Sequence, residues 1–169
     1  MKNLRLLVTA AAAFSLSSCG YHLGGMKPAS MKDMNTFYVE VFENETLYPN
    51  AGMLMTTAMA NALQSDGTYR MAPRKDADFI VKGSVTRAVS ESQITDPDDT
   101  YVSTKLGLRV YVNYKVVDRK TGKELYDATE DETSSYFNQV GSIGSAQEAA
   151  LSYATRRIAD EITIDLVSE

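Results

Sequence analysis

The clearest hydrophobic pattern of the chain is a strict alternation of apolar and polar residues over positions 105 to 116. Successive side chains of a strand point to opposite faces of a sheet, so this alternation predicts a strand with one buried and one solvated face. The apolar positions are Leu106, Leu108, Val110, Val112, Tyr114 and Val116, and the polar positions are Lys105, Arg109, Tyr111, Asn113 and Lys115.

Residues 36 to 42 and 77 to 89 predict two further strands, because aromatic and β-branched residues alternate in them. Residues 124 to 137 predict a fourth strand, whose register the pattern does not fix. A brief strand is also predicted at residues 69 to 72. The polar stretch 118 to 123 predicts a hairpin turn between the last two long strands. The predicted buried positions of the first two segments are Phe37, Val39, Val41, Phe79, Val81, Val85 and Val89.

Two local features refine these strands. Gly83 lies inside the segment 77 to 89, where a glycine is typical of a bulge. Glu130, Asp131 and Glu132 crowd the last strand, and charges of this kind discourage stray pairing at an exposed edge. We therefore expect the last strand to lie at the edge of the sheet.

Helical periodicity predicts two amphipathic helices. The first covers residues 50 to 65, with Asn50 as a candidate cap and Gly67 as its stop. The second begins at a capping box that runs from Ser145 to Glu148. The predicted buried residues of the two helices are Met55, Met59, Ala62, Leu63, Ala150, Ala154, Ile158, Ile162 and Leu166.

The order of these elements is strand, helix, strand, strand, strand, helix, which predicts an α+β two-layer sandwich. Short turns between the last three strands favour an antiparallel meander. We therefore expect one domain over residues 36 to 169, with a sheet of about four mostly antiparallel strands and both helices on one face of it.

Residues 1 to 18 have the architecture of a secretory signal. A basic start is followed by an uncharged run from residue 6 to residue 16, which is shorter than the roughly 20 residues that span a bilayer. The run ends in Leu-Ser-Ser before Cys19, and this segment resembles the lipobox of bacterial lipoproteins. The resemblance implies a diacylglyceryl group and an N-acyl chain on Cys19, which together anchor a protein stably.

The segment from residue 19 to residue 35 is rich in Gly and lacks periodicity, so we interpret it as a lipidated tether. Gly20 follows the lipobox in place of the aspartate that often retains lipoproteins in the inner membrane. By that analogy the protein is expected on the periplasmic side of the outer membrane.

The charge and the single cysteine exclude several classes of protein. The chain has a formal charge of −5, and removal of the signal with its two basic residues makes it −7. Binding to nucleic acid requires clustered Lys and Arg, so this balance argues against such a partner. With Cys19 as its single cysteine, the chain cannot form an internal disulfide or a multi-cysteine metal site.

No motif of the chain predicts an enzyme: a Gly-rich phosphate loop and a Gly-x-Ser-x-Gly elbow are both missing from the sequence. His22, the single histidine, lies in the predicted tether, where no rigid site is expected. Asp96, Asp98 and Asp99 lack the Gly and Glu of an EF-hand loop, so a solvated turn is preferred to a calcium site. A carboxylate-dependent hydrolase stays formally open, but we expect a binding or assembly protein without a metal or cofactor.

Four segments carry a resemblance to a known family. In chain order they are CGYHL from Cys19, VEVFENET from Val39, ADFIVKG from Ala77 and TGKEL from Thr121. Together they resemble the LptE family of lipopolysaccharide-assembly lipoproteins. The resemblance implies an outer-membrane lipoprotein that plugs the β-barrel LptD, helps it to fold and assists delivery of lipopolysaccharide to the cell surface.

In that family, basic residues in the loops at one end of the sheet are implicated in contacting lipopolysaccharide. The matching loops here, residues 95 to 100 and 138 to 145, contain no Lys or Arg. Lys105 and Arg109 are the nearest basic residues and therefore the candidate contacts. The segment FENET from Phe42 is also similar to curli-type periplasmic proteins, which leaves open a curli-type or pilotin-like accessory role at another secretion channel.

Overall fold

The computed structural model describes residues 27 to 93, 105 to 137 and 143 to 168, with only the backbone described at 92–93, 105–106, 136–137 and 143. Cys19, His22 and the acidic turn at 96 to 99 lie outside these ranges. After a short 3-10 helix, Ala29–Met31, the elements are β1 Thr36–Val39, β2 Glu43–Asn44, α1 Ala51–Asp66, β3 Arg70–Met71, β4 Phe79–Gln93, β5 Lys105–Asp118, β6 Glu124–Phe137 and α2 Ile143–Val167.

The strands form one mixed sheet in the order β3-β1-β4-β5-β6, with β2 also paired to β4. β4, β5 and β6 form the expected antiparallel meander, whereas β1 runs parallel to both β3 and β4. The α+β class was predicted correctly, but the expectation of about four mostly antiparallel strands was wrong. Helix α1 returns the chain to its starting end, so the strands on either side of it run in the same direction.

Both helices cover the same face of the sheet and bury its core. The alternation in β5 is confirmed, because Leu108, Val110, Val112, Tyr114 and Val116 are all buried. Each buried aliphatic side chain of this kind contributes about 1.5–3 kcal/mol relative to exposure. The predicted stripe of α2 is also confirmed, with Ala150, Ala154, Ile158, Ile162 and Leu166 buried.

The first strand ends earlier than its sequence suggested. Val41 was expected in the core, but it is 65% exposed, and Phe42 is buried in its place. The reason is a shift in the pairing with β4: Val39 pairs with Val81 but Glu43 pairs with Ser84, which leaves one extra residue between them. In this bend the Phe42 amide donates to Thr56 Oγ1 of α1 at 2.9 Å. This bend changes the alternation by one residue and carries the chain toward the helices.

The bulge of β4 lies away from the predicted position. Its pairing with β5 shifts between Val85 and Arg87, whereas Gly83 pairs regularly with Tyr114. An extra residue reverses the faces of the following positions. Val89 therefore faces away from the helices opposite Arg109, and the expectation that it is buried was wrong.

The helix ends differ in detail from the sequence pattern. Asn50 precedes α1, but its side chain makes no capping hydrogen bond, and its carbonyl accepts from Leu54 N at 2.9 Å. Gly67, with φ of 81°, ends the helix as expected, because glycine adopts this conformation freely. α2 begins at Ile143, two residues before the predicted capping box.

The part of the predicted tether that the structure describes, residues 27 to 35, packs onto the domain. Met31 is fully buried, and Lys27 Nζ donates to Met34 O and Asn35 Oδ1, each at 2.7 Å. Lys27 also lies over the Tyr69 ring, 5.4 Å from its centroid. The chain thus enters the domain at the end of the sheet where β1 begins.

Candidate functional site

The face of the sheet opposite the helices is open and carries the candidate residue Arg109. Its Nε lies 3.1 Å from Asp131 Oδ2 on β6, and its Nη1 lies 4.0 Å from Glu91 Oε1 on β4. Interaction with Tyr111 first, and then with Asp131 and Glu91, raises the pKa of the Arg109 guanidinium. Arg109 is therefore charged, and two neighbouring strands supply carboxylates that balance its charge.

A second charge cluster lies further along the same face. Lys115 Nζ contacts Asp127 Oδ2 at 2.9 Å and Glu124 Oε1 at 3.2 Å. Hydrogen bonds to these two carboxylates raise the pKa of Lys115. The open face thus presents ion pairs between β5 and β6, each of them partly exposed, and exposed pairs contribute little to stability.

The other candidate, Lys105, begins β5, where its backbone pairs with Gln93 on β4 and Phe137 on β6. Its side chain is outside the described residues. Lys105 and Arg109 lie four residues apart on one face of the strand, which separates their Cα atoms by about 13 Å. Their backbone positions therefore lie in one row along β5.

Arg87 is a basic residue of this face that the sequence pattern missed. It follows the bulge and pairs with Tyr111, whose ring centroid lies 5.6 Å from the guanidinium carbon. Within the described ranges no carboxylate forms an ion pair with it. The sequence signal was hidden, because unbroken alternation from Val85 to Val89 assigns Arg87 to the buried face.

A shallow groove of about 520 Å³ lies on the open face where the chain bends away after β1. Its lining mixes both signs of charge with neutral polar groups. It includes Glu40, Lys82, Ser84, Asn113, Lys115 and Asp127.

The loop between β2 and α1 holds a leucine in solvent. Asn44 Oδ1 accepts hydrogen bonds from Thr46 N and Thr46 Oγ1 at 3.0 and 2.8 Å, and Asn44 Nδ2 donates to Tyr48 O at 2.7 Å. Leu47, at the tip of this pinned loop, is 98% exposed. A groove of about 350 Å³ lies between this loop and the first turns of α2, with Leu47, Pro49 and Leu151 in its lining.

Two further observations concern the whole described part of the chain. No group of three or more His, Cys, Asp or Glu residues there is arranged to hold a metal ion. Within the same ranges, neither helix is both long enough and apolar enough to cross a bilayer. The surface chemistry found here is that of ion pairs, a shallow polar groove and an exposed leucine.

Solved structures with a similar fold are described as lipoproteins or as proteins of other kinds. The PelC dodecamer from Paraburkholderia phytofirmans is 19% identical, with 85% of this chain and 94% of that chain covered and a TM-score of 0.55. A putative lipoprotein from Caulobacter crescentus CB15 is 22% identical, with 73% and 87% covered and a TM-score of 0.51. The hypothetical protein CT253 from Chlamydia trachomatis is 10% identical, with 78% and 95% covered and a TM-score of 0.56.

No curated protein matches the chain at a significant level. The likeness to the solved structures shows the fold alone, because each is less than 25% identical. A family model does match, and it is described as LptE, lipopolysaccharide-assembly. The match covers residues 34 to 166, from the end of the predicted tether to the last turn of α2, so the chain belongs to the LptE family.

Proposed function

We propose that this protein is an outer-membrane lipoprotein that plugs an LptD-type β-barrel and helps to assemble it for lipopolysaccharide transport. The observation that carries the proposal is the family match over residues 34 to 166. LptE is a family of non-enzymatic lipoproteins, which agrees with the lack of catalytic motifs in the sequence.

The open face of the sheet supports a plug. Barrel lumens are polar and filled with water, so a plug needs one surface that tolerates polar contact. Here that surface is balanced internally by the pairs of Arg109 with Asp131 and of Lys115 with Asp127. Such pairs reduce the number of isolated charges that must be desolvated in a polar lumen.

The anchor sets how far the domain extends from the membrane. Lys27, which packs on Tyr69, lies eight positions after Cys19 in the chain. Fully extended, this length spans at most about 28 Å. Acylation of Cys19 would therefore keep Lys27, and with it the start of the domain, within that distance of the membrane surface.

For contact with lipopolysaccharide, we add Arg87 to the two candidates from the sequence. Lipopolysaccharide carries anionic groups, which favour a guanidinium that is not already balanced. Arg109 has two carboxylate neighbours, whereas Arg87 has only the Tyr111 ring beside it in the described structure. Arg87 is thus the better candidate, with Lys105 in the same row as Arg109.

The proposal is tested by purifying a C-terminally tagged protein from the outer membranes of its own cells in mild detergent. We expect a large β-barrel to be recovered with it in comparable amount. The Cys19→Ala variant is the matched control, because its fold is unchanged but it should leave the outer-membrane fraction. Recovery of the lipidated protein without any barrel would contradict the proposal.

A second candidate is a curli-type or pilotin-like accessory to another secretion channel. The specific observation is the fold likeness to PelC, which was solved as a dodecamer. The two functions differ in assembly state. A ring of identical subunits in light scattering of the detergent-solubilised protein would favour the second candidate, and a complex with one barrel would favour the first.

A further inference from the structure

Strand β6 leaves one long side of the sheet open. It is 14 residues long, about 46 Å, and pairs with β5 on one side only. No strand in the described part of the chain pairs with its other side. Roughly half of its backbone amide and carbonyl groups therefore point outward, as at any edge strand.

This edge lacks most devices that protect edge strands. It contains no proline, glycine, lysine or arginine, and after the register shift near Val117 it pairs regularly with β5 from Tyr126 to Phe137. Proteins usually protect such an edge with proline, lysine, a bulge or a short strand. Within β6 the devices of this kind are the register shift at its first residues and its negative charge.

The charge of β6 differs between its two faces. On the open face, Asp127 and Asp131 are balanced by Lys115 and Arg109. On the helix face, Glu130 and Glu132 form no ion pair with any described residue.

Burial first, and then the charges of Asp165, Glu161 and Asp131, raises the pKa of Glu130. Of the groups that face it from α2, Glu161 is paired with Arg157 at 3.6 Å, and Asp165 has Tyr114 Oη at 3.5 Å. The helix side of the edge thus carries negative charge at Glu130 and Glu132 with which no described cation forms an ion pair.

The negative charge of β6 disfavours pairing with the β6 strand of a second copy of this protein. Residues opposite each other in a strand pair share a face, so in an antiparallel pair of two β6 strands near their centres Glu130 would lie opposite Glu130 or Glu132 of the second copy. Like charges that face each other across a strand pair are destabilising, whereas opposite charges contribute favourably. The same carboxylates that reject a second β6 strand favour one with lysine or arginine at those positions.

We propose that the free edge of β6 binds an extended segment of a partner protein, which adds a strand and places basic side chains at alternate positions against Glu130 and Glu132. The backbone groups of the edge supply affinity, and the two carboxylates supply selectivity, as in other strand-addition complexes. Half-buried Tyr126 and Ala128 lie on the same face and favour apolar residues at the neighbouring alternate positions. The inference goes beyond the proposed function and does not depend on which channel the protein serves.

The test uses the mature lipidated protein in detergent and a twelve-residue peptide with Lys alternating with Val and Thr. A peptide with Glu in place of each Lys is the control. We expect the Lys peptide alone to bind in calorimetry and to slow hydrogen exchange of the β6 amides. Equal binding of both peptides, absence of binding at low salt, or binding without protection of β6 would overturn the proposal.

Matched variants separate charge selectivity from general attraction to an acidic protein. Glu130→Gln combined with Glu132→Gln should weaken binding of the Lys peptide about tenfold, as expected for the loss of two cross-strand charge pairs. Glu43→Gln combined with Glu45→Gln removes the same charge from exposed positions outside β6 and should leave the affinity unchanged. An equal loss in both double variants would contradict docking at β6.

Discussion

The ring of Phe42 packs directly against the backbone of Gly83. A Cβ atom at position 83 would lie 2.7 Å from Phe42 Cε1 and would also collide with the carbonyl of Asn113 on β5. On the helix side, Gly52 of α1 contacts the Phe42 carbonyl, and a Cβ there would collide with it too. Two glycines thus make room for the segment that leaves the sheet after β1.

This packing predicts that Gly83→Ala destabilises the domain. The added methyl group meets backbone atoms of β5, which cannot move without disturbing the sheet. Overpacking of this kind costs about 1–3 kcal/mol. Urea unfolding of the purified domain should show that loss in the free energy of unfolding.

Gly144→Ala is the control for the same substitution, because a Cβ at position 144 meets nothing within 4 Å. It should be neutral or slightly stabilising, since alanine favours helix more than glycine. If both variants have the same stability, the close approach of Phe42 to Gly83 has no energetic consequence.

The sequence predicts the elements of this fold better than the faces of their residues. The alternation in β5 is unbroken, so its buried side follows directly from the pattern. β4 has an equally apolar pattern, but the bulge after Val85 reverses the positions of Arg87 and Val89. A bulge depends on pairing with the neighbouring strand, which a single-strand pattern does not contain.

The candidate site also depends on pairing between strands, which the pattern of a single strand does not contain. The sequence pattern correctly predicts that Arg109 lies on the solvent-exposed face of β5. Its ion-pair partners are known only from the structure. Asp131 lies close to Arg109 only because of the register between β5 and β6, which the turn at 118 to 123 helps to set. The exposure of Leu47 depends on hydrogen bonds of the Asn44 side chain that the sequence pattern does not show.

Leu47 is expected to contact a partner, because the loop holds an apolar side chain in water without any gain for folding. Leu47→Ser should leave the free energy of unfolding within about 0.5 kcal/mol of the wild type. It should reduce recovery of the barrel in the co-purification described above.

Ile164→Ser is a suitable control for Leu47→Ser, since Ile164 is 57% exposed on α2 and lies far along the chain from the loop. It makes a comparable change from apolar to polar. Loss of the barrel in both variants would indicate a general effect of surface polarity, and retention in both would remove Leu47 from the interface.

Tyr69 should make the stability fall in alkaline solution. Its hydroxyl donates to Leu166 O at 2.9 Å, and burial raises its pKa to about 12 from the usual 10.0. The neutral phenol is therefore favoured in the folded state. Its contribution is complete below pH 10, where the unfolded chain begins to ionise, and is lost as the pH rises toward 12.

Tyr69→Phe tests this assignment. At pH 7 the variant should lose about 1 kcal/mol with the hydrogen bond. Between pH 10 and pH 12 the wild type should lose more stability than the variant, so that the difference becomes smaller. Parallel curves for Tyr69→Phe and the wild type would show that the buried hydroxyl does not titrate as expected.

Glu130 should cost the isolated protein stability at neutral pH. Its pKa is raised above the usual 4.5, so its charged form is less favourable in the folded state than in the unfolded chain. Stability linked to this group is therefore greatest below pH 4.5 and falls as the pH rises through the folded-state pKa.

Glu130→Gln mimics the protonated acid and should raise the melting temperature at pH 7. The gain should disappear at pH 4, where the wild-type side chain is itself mostly neutral; an equal gain at both values would mean that the carboxylate charge is not its cause. A residue retained at such a cost, on an edge with no described cation beside it, is more useful to a bound partner than to the fold alone.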